Sequence, residues 1–437
     1  MTFGRRRLGA AVLLLLVIAA VAARPAGAAD ESAALAEMQR KLDQSLQAIA
    51  ALTERVHQLE AKQLPGVAAA PAATGTIAPD TVRLEAAEQK LEQIEKASAN
   101  RNADDTGLPL HGFADVGVGT HNPISPDVKG FNVGNLDFYL TPRLGDRTRA
   151  LFELNTEVSS EGAVNVDLER AQIGYQFSDE ATVWMGRFHT PYGYLNTALH
   201  HGSWINNSLR RPKFLQFEDN GGIMPAHTVG LWLTGSRHVG GNKILYDLYA
   251  GNSQQIVEGV LDMRNAGNSN GNLSGGGRIG YQFNAGAAEG LTLGAHVFTA
   301  RIADDALPAH ATRVRSYGGY VVYDTDQWEN SAEIYLFDNQ DLSSGGGTHH
   351  SNAGFVQFGY RSSWGIPYAR YERAALTQSD PYFAALAGGG SYNRYALGVR
   401  LDLDLKSAIK LEIANTRLTD PSGDEYGEGL VQYAIRF

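Results

Sequence analysis

Positively charged residues recur through residues 108–437 at positions that alternate with apolar side chains. Arg370, for example, lies between Ala369 and Tyr371. Because successive side chains of a β-strand point to opposite faces, such segments place charges on one face and apolar groups on the other. This pattern predicts an electrostatic role, in which fixed cations attract and order anions in a polar space. The cations concerned are Arg149, Arg170, Arg278, Arg370, Arg394, Arg400, Lys410 and Arg436, whereas Arg187 is ambiguous in phase.

Acidic residues share these faces. The polar space that the faces would line, the predicted lumen, therefore carries both signs of charge. They are Asp137, Glu153, Glu333, Glu372, Asp402 and Glu412. For any single residue, a salt bridge that stiffens the wall is the simpler interpretation. For the set, a water-filled lumen explains the pattern better, because a packed barrel interior needs far fewer charges.

A second charged cluster lies in a segment without a strand pattern. Arg210, Arg211 and Lys213 precede Glu218 and Asp219 within the predicted third loop, 189–226. We hypothesise that these three cations face the two carboxylates at a constriction of the lumen. The histidines of this region lack the spacing of a metal site, so we expect no metal and no cofactor.

Composition excludes several other chemistries. The chain has no cysteine, which excludes disulfides, thiolate metal sites, a cysteine nucleophile and c-type haem attachment. Its formal net charge of -10 argues against a nucleic-acid partner. No serine, histidine and acid combination is convincing, so we expect no enzyme activity.

Alternation of apolar and polar residues predicts about sixteen antiparallel strands, which is an even number as in bacterial transmembrane barrels. Short turns alternate with long Gly/Asn/Ser-rich connections, as in an up-and-down barrel. Phe138, Tyr175, Trp184, Trp232, Tyr281, Trp328 and Tyr433 are expected to form aromatic girdles. The predicted strands are 108–118, 131–143, 147–156, 165–177, 181–188, 227–235, 243–251, 276–283, 290–299, 314–324, 328–337, 353–362, 366–373, 392–403, 408–416 and 427–437.

The N-terminal quarter has a different pattern. Three arginines and an apolar run before a small-residue cleavage site predict a signal peptide over 1–28, the alternative being a membrane anchor. Apolar residues spaced three and four apart predict a coiled coil over 30–64, the alternative being one amphipathic helix packed on the protein. An Ala/Pro linker over 65–79 and a second short helix over 80–97 follow. The fold class is therefore an all-β transmembrane barrel preceded by an α-helical coiled coil.

One short motif resembles a known family. Gly186-Arg187-Phe188, with Pro191 and Gly193, is similar to the stretch that opens the third loop in substrate-selective porins of Gram-negative bacteria, including phosphate-selective ones. Together with the N-terminal coiled coil, the chain resembles trimeric porins of the DcaP type, and the terminal Phe437 resembles an outer-membrane assembly signal. The resemblance implies a homotrimer whose third loop folds into each lumen.

These patterns predict passive diffusion of small hydrophilic solutes, with a preference for anions, across the lipid of the outer membrane. The coiled coil would then lie in the periplasm. Two alternatives remain open from the sequence: a barrel that serves as a sleeve for a periplasmic partner, and an outer-membrane barrel enzyme.

Overall fold

A computed structural model describes residues 110–120, 130–142, 144–158, 164–199, 203–262, 271–307, 311–343, 345–419 and 423–437, without the side chain of Asp219. The predicted signal peptide, coiled coil, linker and second helix all lie outside these residues.

The described residues form one closed antiparallel barrel of sixteen strands. Each strand pairs with the next along the chain, and β1 closes the barrel by pairing with β18. A two-residue hairpin, β8 (Ile256–Val257) with β9 (Val260–Leu261), lies between β7 and β10 outside the barrel sheet. The prediction of a sixteen-stranded barrel is confirmed. The barrel strands are β1 (Leu110–Gly119), β2 (Gly130–Leu140), β3 (Thr148–Val158), β4 (Val164–Ser178), β5 (Ala181–His189), β6 (His227–Val239), β7 (Asn242–Asn252), β10 (Leu273–Gln282), β11 (Leu291–Ile302), β12 (Thr312–Asp324), β13 (Glu329–Asp341), β14 (Thr348–Gly359), β15 (Ile366–Ala375), β16 (Tyr392–Asp404), β17 (Ser407–Leu418) and β18 (Glu425–Arg436).

Connections of two kinds alternate around the barrel. One rim carries the start of β1, the end of β18 and turns such as 179–180, 240–241 and 405–406; we call it the turn rim. The opposite rim, the loop rim, carries the longest connections, above all 190–226, which we call loop 3. Loop 3 contains a short helix α1 (Leu195–Ala198) and two 3₁₀ turns (Lys213–Leu215 and Glu218–Asn220), and the connection after β15 contains α2 (Pro381–Ala385). No helix among the described residues is long and apolar enough to cross a membrane.

The barrel wall is apolar outside and charged inside. On β17, Leu411 and Ile413 are 39% and 63% exposed, whereas Lys410 and Glu412, which alternate with them, are 0% and 2% exposed. This inverts the arrangement of a soluble protein, in which the exposed face is polar. A wall of this kind is stable where its outer face meets lipid and its inner face meets water or polar groups.

Aromatic side chains cluster on the outer face near the turn rim. Tyr175 lies edge-on to Phe177, with ring centroids 5.0 Å apart, and Trp328 lies edge-on to Tyr360 at 5.1 Å. The girdle prediction is wrong for Trp184 and Trp232, however, because both face the inside of the barrel. Trp232 Nε1 donates a hydrogen bond to the buried Asp247 (2.9 Å), and its ring stacks on that of Trp184, whose neighbour Met185 faces outward and is 65% exposed.

Glycines of the inner wall make room for large rings on neighbouring strands. At Gly398, a Cβ would lie 2.3 Å from ring atoms of Tyr368, and at Gly294 a Cβ would lie 2.1 Å from the ring of Tyr320. The Tyr368 hydroxyl in turn donates to Glu412 Oε2 (2.6 Å). Such aromatic cover of a strand glycine fixes strand register.

We therefore expect Gly398→Ala to destabilise the barrel by about 1–3 kcal/mol, because the new Cβ displaces the Tyr368 ring from a filled site. Gly427→Ala is the control, since a Cβ there meets only a carbonyl oxygen at 3.8 Å. Denaturant unfolding in detergent measures both changes. Equal stability of the two variants would contradict this account of Gly398.

Candidate functional site

Charges of the inner wall hold the first part of loop 3 inside the barrel. Glu333 on β13 accepts hydrogen bonds from the backbone N–H groups of Tyr194 (3.1 Å) and Leu195 (2.7 Å). From β10, Arg278 donates to the carbonyl of Gly193 and to Thr197 Oγ1, both at 2.7 Å. An ionised group that binds backbone in this way makes a hydrogen bond stronger than a neutral one.

Cations of the inner wall hold the middle of the loop through its carbonyl groups. Lys410 on β17 donates to the Ser203 carbonyl, and Arg400 on β16 donates to the Trp204 carbonyl. Arg370 on β15 donates to the Arg210 carbonyl at 2.8 Å. Three cations that the sequence predicts in the lumen therefore bind the loop backbone.

The last part of the loop is held by both hydrogen bonds and apolar packing. The N–H of Lys213 donates to Glu372 Oε2 (2.7 Å), and the N–H of Phe214 donates to the Tyr392 hydroxyl (2.9 Å). Beneath the loop lies a buried apolar cluster that joins it to the wall. Its members include Phe188, Tyr192, Phe214, Leu215, Ile223, Met224, Phe337, Phe355, Tyr382 and Tyr392. Each fully buried large apolar side chain stabilises the folded form by about 1.5–3 kcal/mol, so loop 3 is a built part of the barrel.

An opening of about 310 Å³ remains between loop 3 and the opposite wall. From the loop it is lined by Arg210, Arg211 and Lys213, with Arg394 of β16 beside them. The other side is the wall of β1, β2, β3 and β18. Its polar lining residues are Asp115, Asn132, Asn135, Glu157, Tyr426, Glu428 and Gln432.

Some of the charges around this opening are paired directly with one another, and others are not. Arg210 Nη1 lies 2.7 Å from Glu428 Oε1, and Arg394 also pairs with Glu428. Among the described residues, no carboxylate lies within 4.0 Å of the Lys213 ammonium, and no cation lies within 4.0 Å of the Asp115 carboxylate. Asp115 instead accepts hydrogen bonds from the Asn135 N–H (3.2 Å) and Gln432 Nε2 (2.9 Å). The result is a field directed across the opening.

The sequence predicts that Arg210, Arg211 and Lys213 face Glu218 and Asp219 at the constriction, but Glu218 does not line the opening, and the side chain of Asp219 is outside the described residues. Arg211 is buried inside the loop, where its Nε donates to the Leu215 carbonyl (2.6 Å) and its Nη2 to Asn196 Oδ1 (2.8 Å). Glu218 is fully buried and pairs with His227.

The remaining predicted cations lie at several places on the wall. Arg170 pairs with the buried Glu153, and Arg187 Nε donates to the Glu169 carbonyl (3.0 Å). Near the turn rim, Arg149 donates to Gln176 Oε1 (2.9 Å) and Arg436 to the Leu405 carbonyl (2.9 Å). The structure does not bring these four residues to the opening, and their role in a pore stays a prediction.

The acidic side of the opening was missed from the sequence. Asp115 lies between Ala114 and Val116, and Glu428 lies between two glycines. Strict alternation along β1 and β18 gives the inward phase of both residues, so the signal was present.

A buried histidine ties the end of loop 3 to the wall. His227, the first residue of β6, donates its backbone N–H to Glu218 Oε1 (2.9 Å). Its Nε2 lies 2.6 Å from Glu169 Oε2, and its Nδ1 lies 3.2 Å from Glu218 Oε2. Burial alone would raise the pKa of Glu218, but the charge of His227, its hydrogen bonds and Arg187 together hold that pKa below the ordinary 4.5. Among the described residues, no group of three or more histidine, aspartate or glutamate side chains is arranged to hold a metal ion.

We expect the end of loop 3 to loosen in acid. A depressed pKa means that Glu218 stabilises the folded loop above pH 4.5, and that this stabilisation is lost as pH falls through the folded pKa. Between pH 4.5 and that lower folded pKa, the protection of residues 214–226 against amide exchange, corrected for intrinsic rates, should fall by up to about tenfold per pH unit, and it should level off below the folded pKa. In Glu218→Gln the protection should be low and independent of pH. An equally steep pH dependence in this variant would assign the effect to another group.

No family model matches this chain, and no curated protein matches it. Solved structures do. The anion-selective porin from Comamonas acidovorans is similar over 76% of this chain and 98% of that chain, at 14% identity and a TM-score of 0.50. Salmonella typhi OmpF in complex with daunomycin is similar over 76% and 97%, at 13% identity and a TM-score of 0.50. The outer membrane channel DcaP of Acinetobacter baumannii covers the same shares, at 12% identity and a TM-score of 0.47.

These similarities concern the fold. The described barrel has the fold of bacterial outer-membrane porins, as the resemblance of the Gly186 to Gly193 stretch predicts.

Proposed function

We propose that this chain is an outer-membrane channel through which small hydrophilic solutes diffuse passively, with a preference for anions. The observation that carries the proposal is the charged opening between loop 3 and the wall of β1, β2, β3 and β18. Loop 3 is held by inward side chains of β10, β13, β15, β16 and β17, so it narrows the lumen on one side only. A closed barrel narrowed in this way selects solutes by size and charge and requires no catalytic group.

The balance of charge around the opening supports the anion preference. Four lining residues are cationic (Arg210, Arg211, Lys213 and Arg394), and three are acidic (Asp115, Glu157 and Glu428). Glu428 lies within 4.0 Å of Arg210 and Arg394, so these three charges partly cancel and together leave one positive charge beside the opening. Lys213, with no carboxylate within that distance among the described residues, is the cation best placed to attract an anion.

We propose also that the protein is a homotrimer. Near the loop rim, β2 and β4 expose Phe131 (92%), Val133 (58%), Val164 (63%) and Val166 (61%). Large apolar side chains at the level of polar head groups are more stable against protein, so this face suits a neighbouring subunit. Mass measurement of the detergent-purified protein, compared with Phe131→Asp, tests this proposal, because the variant should shift mass toward the monomer.

For the N-terminal segments, the proposals rest on the sequence pattern. We propose a signal peptide over 1–28 and a periplasmic coiled coil over 30–64, followed by the linker and the second helix. N-terminal sequencing of the protein purified from outer membranes should begin near residue 29. A first residue within 1–10 would contradict the signal peptide.

Liposome swelling tests the channel most simply. Vesicles that contain the purified protein should swell in small sugars, and more slowly as solute size increases. Among solutes of equal size, a monoanion should enter faster than a cation. Swelling no greater than in protein-free vesicles would contradict the proposal.

A further inference from the structure

Three arginines form a basic patch on the outer face of the barrel, at the loop rim of β11 and β12. Arg301, Arg313 and Arg315 are all exposed. The residues between and beside them point the other way, since Ala300 is 3%, Ile302 1% and Val314 0% exposed. The three guanidinium groups therefore project from the side of the barrel that carries its apolar residues. We call them the outer arginine patch.

Strand register brings these like charges together. Arg301 lies directly opposite Arg313 across the pair of β11 and β12, and Arg315 follows two residues later on the same face. Among the described residues, no carboxylate lies within 4.0 Å of any of the three. Arg313 donates to the neutral Gln340 Oε1 (2.9 Å). Like charges at opposite positions destabilise a strand pair, so the patch gains most from an anion held between its members.

The depth of the patch limits what that anion can be. Toward the middle of the wall, the same face exposes Val297 (57%), Tyr317 (42%) and Val321 (43%). The arginines lie immediately beyond this apolar band, on the side of the long loops. In a membrane, that level is occupied by lipid head groups rather than by acyl chains or bulk water.

The patch is confined to one part of the circumference. At the same rim, β2 and β4 expose Phe131, Val133, Val164 and Val166 instead. On β13, next to the patch, Asp338 pairs with His350 (2.6 Å) and accepts from the Tyr317 hydroxyl (3.1 Å), so its charge is shared. A basic patch beside lipid and an apolar patch elsewhere indicate two different neighbours at this rim.

We propose that the outer arginine patch binds the phosphate groups of a phosphorylated glycolipid in the outer leaflet. The inference rests on the proposed membrane location and on its orientation, with the loop rim outward. Guanidinium groups suit this ligand, because each can give two parallel hydrogen bonds to phosphate oxygens. An apolar wall directly below the patch would receive the acyl chains of the same molecule.

Titration in detergent tests the proposal, with diphosphorylated lipid A as the probe. The variant R301Q/R313Q/R315Q should bind it at least roughly tenfold more weakly than the unaltered protein. The charge-matched control is R147Q/R237Q/K406Q, which removes three exposed cations at the turn rim and should bind as the unaltered protein does. Dephosphorylated lipid A should bind weakly to all three proteins. Inorganic phosphate should compete only at far higher concentration than the lipid.

Two results would overturn the inference: equal affinity of the patch variant and the control, or equal affinity for the phosphorylated and dephosphorylated lipids. Inorganic phosphate that competes as well as the lipid would assign the patch to free phosphate instead. Liposome swelling by the same variants separates this inference from the channel proposal, because the patch variant should retain the full swelling rate. A protein that binds the lipid but causes no swelling would contradict the channel alone.

Discussion

Replacing both Arg210 and Lys213 by glutamate is expected to turn an anion-preferring channel into a cation-preferring one. The two side chains line the loop side of the opening, across from Asp115. Two unit charges 4 Å apart interact by about 1 kcal/mol even in water, and the double change alters the local charge by four units. We therefore expect the anion-to-cation permeability ratio to fall by roughly tenfold or more. Reversal potentials of the purified variant in planar bilayers measure this ratio.

The control for this experiment reverses the same number of positive charges at positions away from the opening. Arg147 and Lys406 are exposed at the turn rim, so R147E/K406E makes the same change in net charge away from the opening. Its ratio should stay close to that of the unaltered protein. Arg211 is left intact because its guanidinium is bonded inside the loop. If R210E/K213E and the control gave the same ratio, selectivity would not arise at this opening.

Replacing both Glu333 and Glu372 by alanine is expected to widen the channel. Both side chains are buried carboxylates of the inner wall that accept backbone N–H groups of loop 3. Hydrogen bonds to charged groups contribute about 1.5–3 kcal/mol each, so the double variant removes much of the polar attachment of the loop. We expect single-channel conductance to rise by roughly twofold or more, with added noise as the loop moves.

Glu412→Ala is the matched control for loop release. Glu412 is also a buried inward carboxylate, but its hydrogen bond comes from the Tyr368 hydroxyl and not from the loop backbone. Its conductance should change little, although its stability should fall. A release variant that folds, shown by its resistance to protease, and still conducts as the unaltered protein would contradict the role given to loop 3.

The strands could be predicted because each has one face in an apolar environment and one face in a polar one. On β17, alternation of Ile409, Leu411 and Ile413 with Lys410 and Glu412 defines both the strand and its orientation. The predicted strand boundaries are wrong where a strand continues through polar residues. β14 begins at Thr348, whereas the predicted strand began at residue 353, because Thr348, His349 and His350 resemble a loop.

The use of each inward charge could not be predicted, because it depends on the path of loop 3 through the barrel. By phase alone Lys410 and Arg400 are lumen residues, yet they bind the carbonyls of Ser203 and Trp204. Arg210 and Arg211 are adjacent in sequence but have different partners, Glu428 on the wall and Asn196 within the loop. Only contacts between residues far apart in sequence separate structural charges from those that line the opening.

The most direct test of the central claim is the reversal potential of the unaltered protein in a planar bilayer under a KCl gradient. Lys213, on a mainly cationic loop, faces Asp115 across an open lumen. This arrangement predicts stable conductance and a reversal potential on the chloride-selective side. A potassium-selective potential would contradict the assignment of the opening, and no conductance would contradict the channel itself.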